Sequence, residues 1–169
     1  MAEAIARLRL DPPDAEPAPG VLEALRTADM VVLGPGSLYT SILATMISPG
    51  VAKAVAETAA IRVFISNIMT EPGETDGYGV AAHLEALAAH GLPMEALDYV
   101  IVNTAPIAPT VAARYATQGA APVALDFGAA GGRPQVVRAD IVEPGPVVRH
   151  AADKLAPILR EIGSGHRWA

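Results

Sequence analysis

The sequence predicts an α/β layered fold with a parallel sheet, on two observations: three near-continuous Val/Ile runs, and a helical stretch following each. The runs are Ala28-Asp29-Met30-Val31-Val32-Leu33, Ile61-Arg62-Val63-Phe64-Ile65-Ser66 and Asp98-Tyr99-Val100-Ile101-Val102, and they end at Gly34, Asn67 and Asn103. Apolar runs that do not alternate with polar residues read as strands buried on both faces, which a parallel sheet requires. Strand, helix, strand in this order then gives right-handed crossovers and stacked layers.

Taken from the amino terminus, Ile5 to Leu10 is a candidate strand, followed by the Pro-rich loop Asp11 to Gly20 and a helix from Val21 to Arg26. Between the first two strands lie helices Ser37 to Ile47 and Pro49 to Ala59, with Ser48 as N-cap and Pro49 at the first helical position. Gly77 to His90 places Val80, Leu84 and Leu87 on one face and stops at Gly91. Thr110 to Gln118 follows the third strand and stops at Gly119. Val123 to Asp126 and Gln135 to Ala139 are candidate short strands in the mostly irregular stretch Ala120 to Glu143. The last helix, Val147 to Ile162, presents Val148, Leu155, Ile158 and Ile162 at helical spacing, and Pro157 is expected to kink or interrupt it.

A length of 169 residues predicts a single α/β domain spanning 1–169, without internal repeats. No apolar run approaches the roughly 18 residues of a membrane span, and Glu3 and Arg7 interrupt the amino-terminal stretch. We therefore expect a soluble, cytoplasmic protein with no membrane partner. The chain has no cysteine, which excludes disulfides and thiolate-bound zinc. A net charge of -6, with one Trp and two Phe, argues against a nucleic-acid partner.

Ligands of open α/β sheets bind at the carboxyl ends of the strands. Here those ends are Gly34-Pro35-Gly36-Ser37, Asn67 and Asn103, all small, polar or glycine-rich. A glycine-rich turn passing into a helix leaves backbone N–H groups free for a phosphate or carboxylate, and Ser37, Thr40 and Ser41 could add hydroxyl donors. The alternative is a tight turn with Ser37 as an ordinary N-cap. In Asn67-Ile68-Met69-Thr70-Glu71-Pro72-Gly73-Glu74-Thr75-Asp76-Gly77-Tyr78, three acids precede His83 on the next helix. A magnesium site or an Asp76–His83 acid/base pair is conceivable, but capping acids and an exposed helical His83 are the better reading. Arg149, with His150 beside it, falls in the first turn if Pro146 opens the last helix. A cation there opposes the helix dipole unless an anionic ligand or Asp153 offsets it. By spacing Tyr115 is a core or boundary residue. The sequence contains no nucleophile elbow and no Walker loop with Lys.

The stretches Gly34-Pro35-Gly36-Ser37-Leu38-Tyr39-Thr40-Ser41-Ile42 and Asn67 to Tyr78 resemble the two signatures of the gluconeogenesis-factor (YvcK-type) family, itself similar to 2-phospho-L-lactate transferase (CofD-like). The resemblance runs from about Ile5 to the last helix. It implies a Rossmann-like three-layer fold with a mostly parallel sheet, of which this chain would be the C-terminal half. Family members carry a preceding half with a Gly-Gly-Gly-Thr-Gly-like nucleotide loop. A lone half would expose a sheet edge, so self-association as a homo-oligomer or a missing protein partner is expected.

The resemblance also implies a regulatory protein of central carbon metabolism and bacterial cell shape that binds UDP-N-acetylglucosamine or UDP-glucose. Tyr115 and Arg149 match the family's UDP-sugar-contacting tyrosine and arginine. Gly34, Gly36, Ser37 and Asn67 would line the phosphate or sugar end of the cleft. Magnesium accompanying the UDP-sugar or another nucleotide is the one cofactor implied, and no catalytic residue or metal-ligand set is assigned. The alternative is a phospholactate-type transferase acting on a deazaflavin substrate with magnesium.

Overall fold

A computed structural model describes residues 5–128 and 132–165. In chain order the elements are α1 (Val21–Thr27), β1 (Met30–Leu33), a π-helical segment (Leu38–Leu43) running into α2 (Ala44–Met46), α3 (Val51–Glu57), β2 (Ile61–Ile65), α4 (Val80–Ala89), β3 (Tyr99–Asn103), α5 (Pro109–Ala116), β4 (Gln135–Ala139) and α6 (Ala152–Gly163). The four strands pair in parallel in the order β1-β2-β3-β4, with Leu33 opposite Phe64, Ile65 opposite Ile101 and Ile101 opposite Val137. The fold is thus α/β with a parallel sheet, as the Val/Ile runs predict.

Strand alternation divides the core in two. Val31, Leu33, Phe64, Val100 and Val102 face the π-helical segment, α3 and α4, against Leu43, Val55, Leu84 and Leu87. Met30, Val63, Ile65, Ile101 and Val137 face the other way, where α6 covers them with Leu155, Ile158 and Ile162. The π-helical segment, α3 and α4 thus lie on one face, and α6, after the last strand, fills the other, with Tyr115 of α5 beside it.

The sheet is locked at its amino-terminal end by Asp98. Its Oδ2 accepts from the Arg62 amide at 2.9 Å and from Arg62 Nε at 3.0 Å, and Oδ1 pairs with Arg133 Nη1 at 2.8 Å. The α4 N-terminus is capped from 45 residues away by Asp126, whose Oδ1 accepts from the Ala81 amide at 2.9 Å. A carboxylate suits the positive end of the helix dipole.

Several expectations are corrected. Gly50, not Ser48, precedes α3, because the turn needs a residue in the left-handed region (φ 80). Ile5 to Leu10 is not a strand: it is held by its Leu8 amide donating to His90 Nε2 at 3.1 Å. Val123 to Asp126 makes an isolated bridge between Ala124 and Gly79 rather than a strand, while Gln135 to Ala139 is β4. α6 begins at Ala152, because Ile141 to Ala151 folds back on itself through Glu143 N to Arg149 O (2.9 Å) and Ala151 N to Ile141 O (2.8 Å). Arg149 therefore sits in paired chain outside the helix, where its charge does not oppose the α6 dipole. α6 also continues through Pro157. The carbonyl that Pro157 leaves unbonded belongs to Asp153, exposed in the first turn where water can reach it. His83 is fully buried rather than exposed. Positions 80, 83, 84 and 87 are one helical stripe, and it faces the sheet.

Two outcomes follow from these contacts. Asp98→Ala should cost roughly 2–3 kcal/mol in urea unfolding, because it strands a mostly buried guanidinium; Arg62 is 13% exposed. A loss below about 1 kcal/mol would remove Asp98 from the framework. Burial holds His83 below the ordinary histidine value of 6.5, opposed only partly by its bond to Gly79 O. The unfolded chain then takes up the proton first, so stability is full above pH 6.5 and declines as pH falls through the depressed folded value. His83→Gln should flatten that decline between about pH 7 and 5; an unchanged slope would clear His83 of it.

Candidate functional site

Parallel pairing brings the carboxyl ends of all four strands to one rim. At the end of β1 the chain turns at Gly34, with φ 89, where a Cβ would stand 3.0 Å from Ile65 O. The turn thus needs both the left-handed backbone and the close approach that glycine allows. Ser37 then opens the π-helical segment, its carbonyl accepting from Ser41 N at 3.2 Å and Ile42 N at 3.0 Å.

The Ser37 hydroxyl does not cap that segment. It donates to Glu71 Oε2 at 2.7 Å, while Asn67 Nδ2 donates to Glu71 Oε1 at 3.0 Å. Glu71 thus bridges the segment after β1 and the end of β2. Its own amide donates to Thr75 Oγ1 at 2.8 Å, and Thr40 Oγ1 donates to Glu74 Oε1 at 2.9 Å, latching the loop to the helical segment. The Tyr39 and Tyr78 hydroxyls meet at 2.9 Å behind it. Asn67 is 7% exposed, and its Oδ1 has no hydrogen-bond partner among the described residues.

Beside this bridge is a cavity of about 300 Å³. Gly36, Ser37, Asn67 and Glu71 form one wall, and Tyr115, Gln118, Val148 and His150 come from across it. The Tyr115 hydroxyl accepts from the Val148 amide at 3.1 Å, which leaves its proton to donate. His150 Nε2 donates to Ser66 O at 3.2 Å. Burial pushes His150 below its usual value, offset in part by that bond. No Lys or Arg is among the described residues lining the cavity.

Of the six residues named from the sequence, Gly36, Ser37, Asn67 and Tyr115 share this cavity. Gly34 shapes the turn and is not on its wall. Arg149 is exposed and also off the wall, between Val148 and His150, which are on it. Glu71, Gln118 and His150 were not singled out as ligand contacts. Glu71 lies four residues after the strand-end Asn67, and that spacing was its available signal. Asp76 and His83 do not form a pair: Asp76 Oδ2 accepts from Gly73 N at 2.7 Å, and His83 Nδ1 bonds Gly79 O at 2.7 Å inside the core. Among the described residues no group of three His, Asp or Glu could hold a metal ion. Glu71 is the cavity's single carboxylate and both its oxygens are engaged, so these residues alone do not make a magnesium site.

Residues 1–142 match the family described as 2-phospho-L-lactate transferase CofD. The gluconeogenesis factor of Halalkalibacterium halodurans is 40% identical over 159 residues, covering 93% of this chain and 49% of that protein. The gluconeogenesis factor of Bacillus subtilis is 35% identical over 160 residues, with 94% and 50% covered. The crystal structure of a UPF0052-family protein from Bacillus halodurans has a TM-score of 0.87 at 39% identity, covering 95% of this chain and 52% of that one. The chain spans about half the length of the curated relatives it matches. With most of its length inside the family match and its sheet superposing on a solved relative, this chain belongs to the CofD family.

Proposed function

We propose that this chain is the sugar-binding part of a cytoplasmic regulatory protein of central carbon metabolism and cell shape. Its ligand would be UDP-N-acetylglucosamine or UDP-glucose, and it would act through a protein partner. One observation carries the reading: a rim cavity gathers hydroxyl, amide, carboxylate and phenol groups from the segments after β1 and β2 and from α5 within hydrogen-bonding reach of one small ligand. Such a set, on an apolar floor including Ile68 and Val148, is how small-molecule sites fix orientation. The names of the relatives support the metabolic part of the reading.

Binding at this rim would signal by tightening elements that already bridge the strands. Glu71 links Ser37 to Asn67, and Tyr115 links α5 to the segment before α6. A ligand seated between these links favours whichever arrangement they share, and a partner reads that arrangement. Support for a protein partner or a homo-oligomer comes from β1, which pairs on one side only among the described residues and leaves Val32 38% exposed. The description of the matched family favours a second reading, a phospholactate-type transferase acting on a deazaflavin alcohol with magnesium. In that case the chain would position the reacting groups. Magnesium, if it accompanies either ligand, would take most of its oxygens from the diphosphate.

Calorimetric titration with UDP-N-acetylglucosamine, with and without magnesium, tests the sensor. We expect saturable binding, and a Tyr115→Phe variant weakened about tenfold by loss of a hydroxyl donor. Arg149→Ala should weaken binding by at least as much while circular dichroism stays unchanged. If both variants bind like the parent, neither residue is a ligand contact. Consumption of a deazaflavin alcohol by the chain would replace the sensor with the transferase.

A further inference from the structure

The glycine-rich turn at the end of β1 suggests phosphate, yet the groups it presents tell against one. The Ser37 hydroxyl that would greet an incoming phosphate already donates to a carboxylate of the chain itself, Glu71 Oε2 at 2.7 Å. The cavity carries that formal negative charge with no Lys or Arg on its described wall. A phosphate seated there would meet like charge at hydrogen-bonding range, with no cationic side chain on the described wall to offset it. The wall does offer open acceptors. Asn67 Oδ1, on a residue 7% exposed, has no partner among the described residues. Each Glu71 oxygen has one protein donor and lone-pair capacity for a second. An unsatisfied buried acceptor is destabilising, and a donor supplied by a ligand would satisfy it.

We infer that this cavity takes a neutral vicinal diol, with the two hydroxyls donating to the Glu71 carboxylate and Asn67 Oδ1, and that phosphate is held elsewhere. The inference deepens the UDP-sugar reading and rests on it for the ligand's identity, but the diol chemistry stands on the cavity alone. One hydroxyl makes a charge-assisted bond to the carboxylate, and its vicinal neighbour supplies the donor that Asn67 Oδ1 lacks. Tyr115, whose hydroxyl proton is free, can donate to a ring or acetal oxygen. The sugar end would then point inward. The cations lie next to the lining residues in sequence: Arg114, whose guanidinium stands 5.7 Å over the Tyr115 ring, and the exposed Arg149. A diphosphate leaving the cavity would pass toward them. The same diol chemistry occurs in a hexose and in a ribose, so either could be the group bound.

The test follows backbone amide shifts of the ¹⁵N-labelled chain at Ser37, Asn67 and Glu71. The probes are methyl glucoside, uridine, 2′-deoxyuridine and inorganic pyrophosphate. Methyl glucoside should move these amides if the hexose is bound. Uridine should do so, and 2′-deoxyuridine should not, if the ribose is bound. Glu71→Gln should weaken the active probe at least tenfold, the expected loss for charged hydrogen bonds. If that variant loses its fold, the shift map of the parent decides. Pyrophosphate moving these amides, neither diol moving them, or full binding by Glu71→Gln would each overturn the inference. UDP-N-acetylglucosamine that binds without moving Asn67 and Glu71 sinks the diol site and leaves the UDP-sugar reading standing. A diol that binds where the nucleotide sugar does not has the opposite consequence.

Discussion

Parallel pairing in chain order is the constraint from which the other features follow. A parallel strand cannot be reached by a short hairpin, so each connection must climb the full height of the sheet before the next strand begins. Every strand then ends at the same rim, and every connection begins there. The polar segments after Leu33, Ile65 and Asn103 are thus collected into one surface although successive strand ends lie 32 and 38 positions apart in sequence. Neither face of the sheet can be left wet, because Val, Ile, Leu and Phe side chains of the strands point to both. The π-helical segment, α3 and α4 cover one face and α6 covers the other.

A rim made of loops needs its own ties, since the sheet ladder stops below it. Glu71 supplies the tie between the first two strands, and Tyr115 supplies the one between α5 and the segment leading to α6. Both are polar side chains placed where an apolar contact would have been simpler to pack. Their cost is desolvation; their return is a cavity whose walls are held by groups that can also bind something. The first of these ties also takes up the Ser37 hydroxyl at the turn after β1, which donates to a carboxylate of the chain itself. A glycine-rich motif therefore acts here as a tight backbone turn admitting Ile65 O within 3.0 Å of a would-be Cβ, with the Ser37 hydroxyl turned to internal use.

The sequence was legible where one residue's neighbours along the chain decide its environment. Strands β1, β2 and β3 show as unbroken Val/Ile runs, and their ends at Gly34, Asn67 and Asn103 marked the rim. It was less legible wherever a distant partner intervenes. Pro146 looked like a helix start, but pairing of Glu143 with Arg149 holds that stretch extended and delays α6 to Ala152. Ser48 looked like a cap, but the αL geometry before α3 falls to Gly50. His83 belonged to the apolar stripe of α4 by spacing, and its polarity alone suggested the outside.

What the sequence by itself determined is the class of fold and the address of the site, because hydrophobic period and strand-end composition are local properties that any parallel sheet turns into a rim. What only the tertiary structure decided is the chemistry at that address. Whether Ser37 faces a ligand or Glu71, whether Asn67 Oδ1 is satisfied, and whether Arg149 or His150 borders the cavity are questions of which side chains meet across a distance of tens of residues. Hydrogen bonds act over about 3 Å in space. Sequence spacing cannot carry that information once the partners lie on different strands.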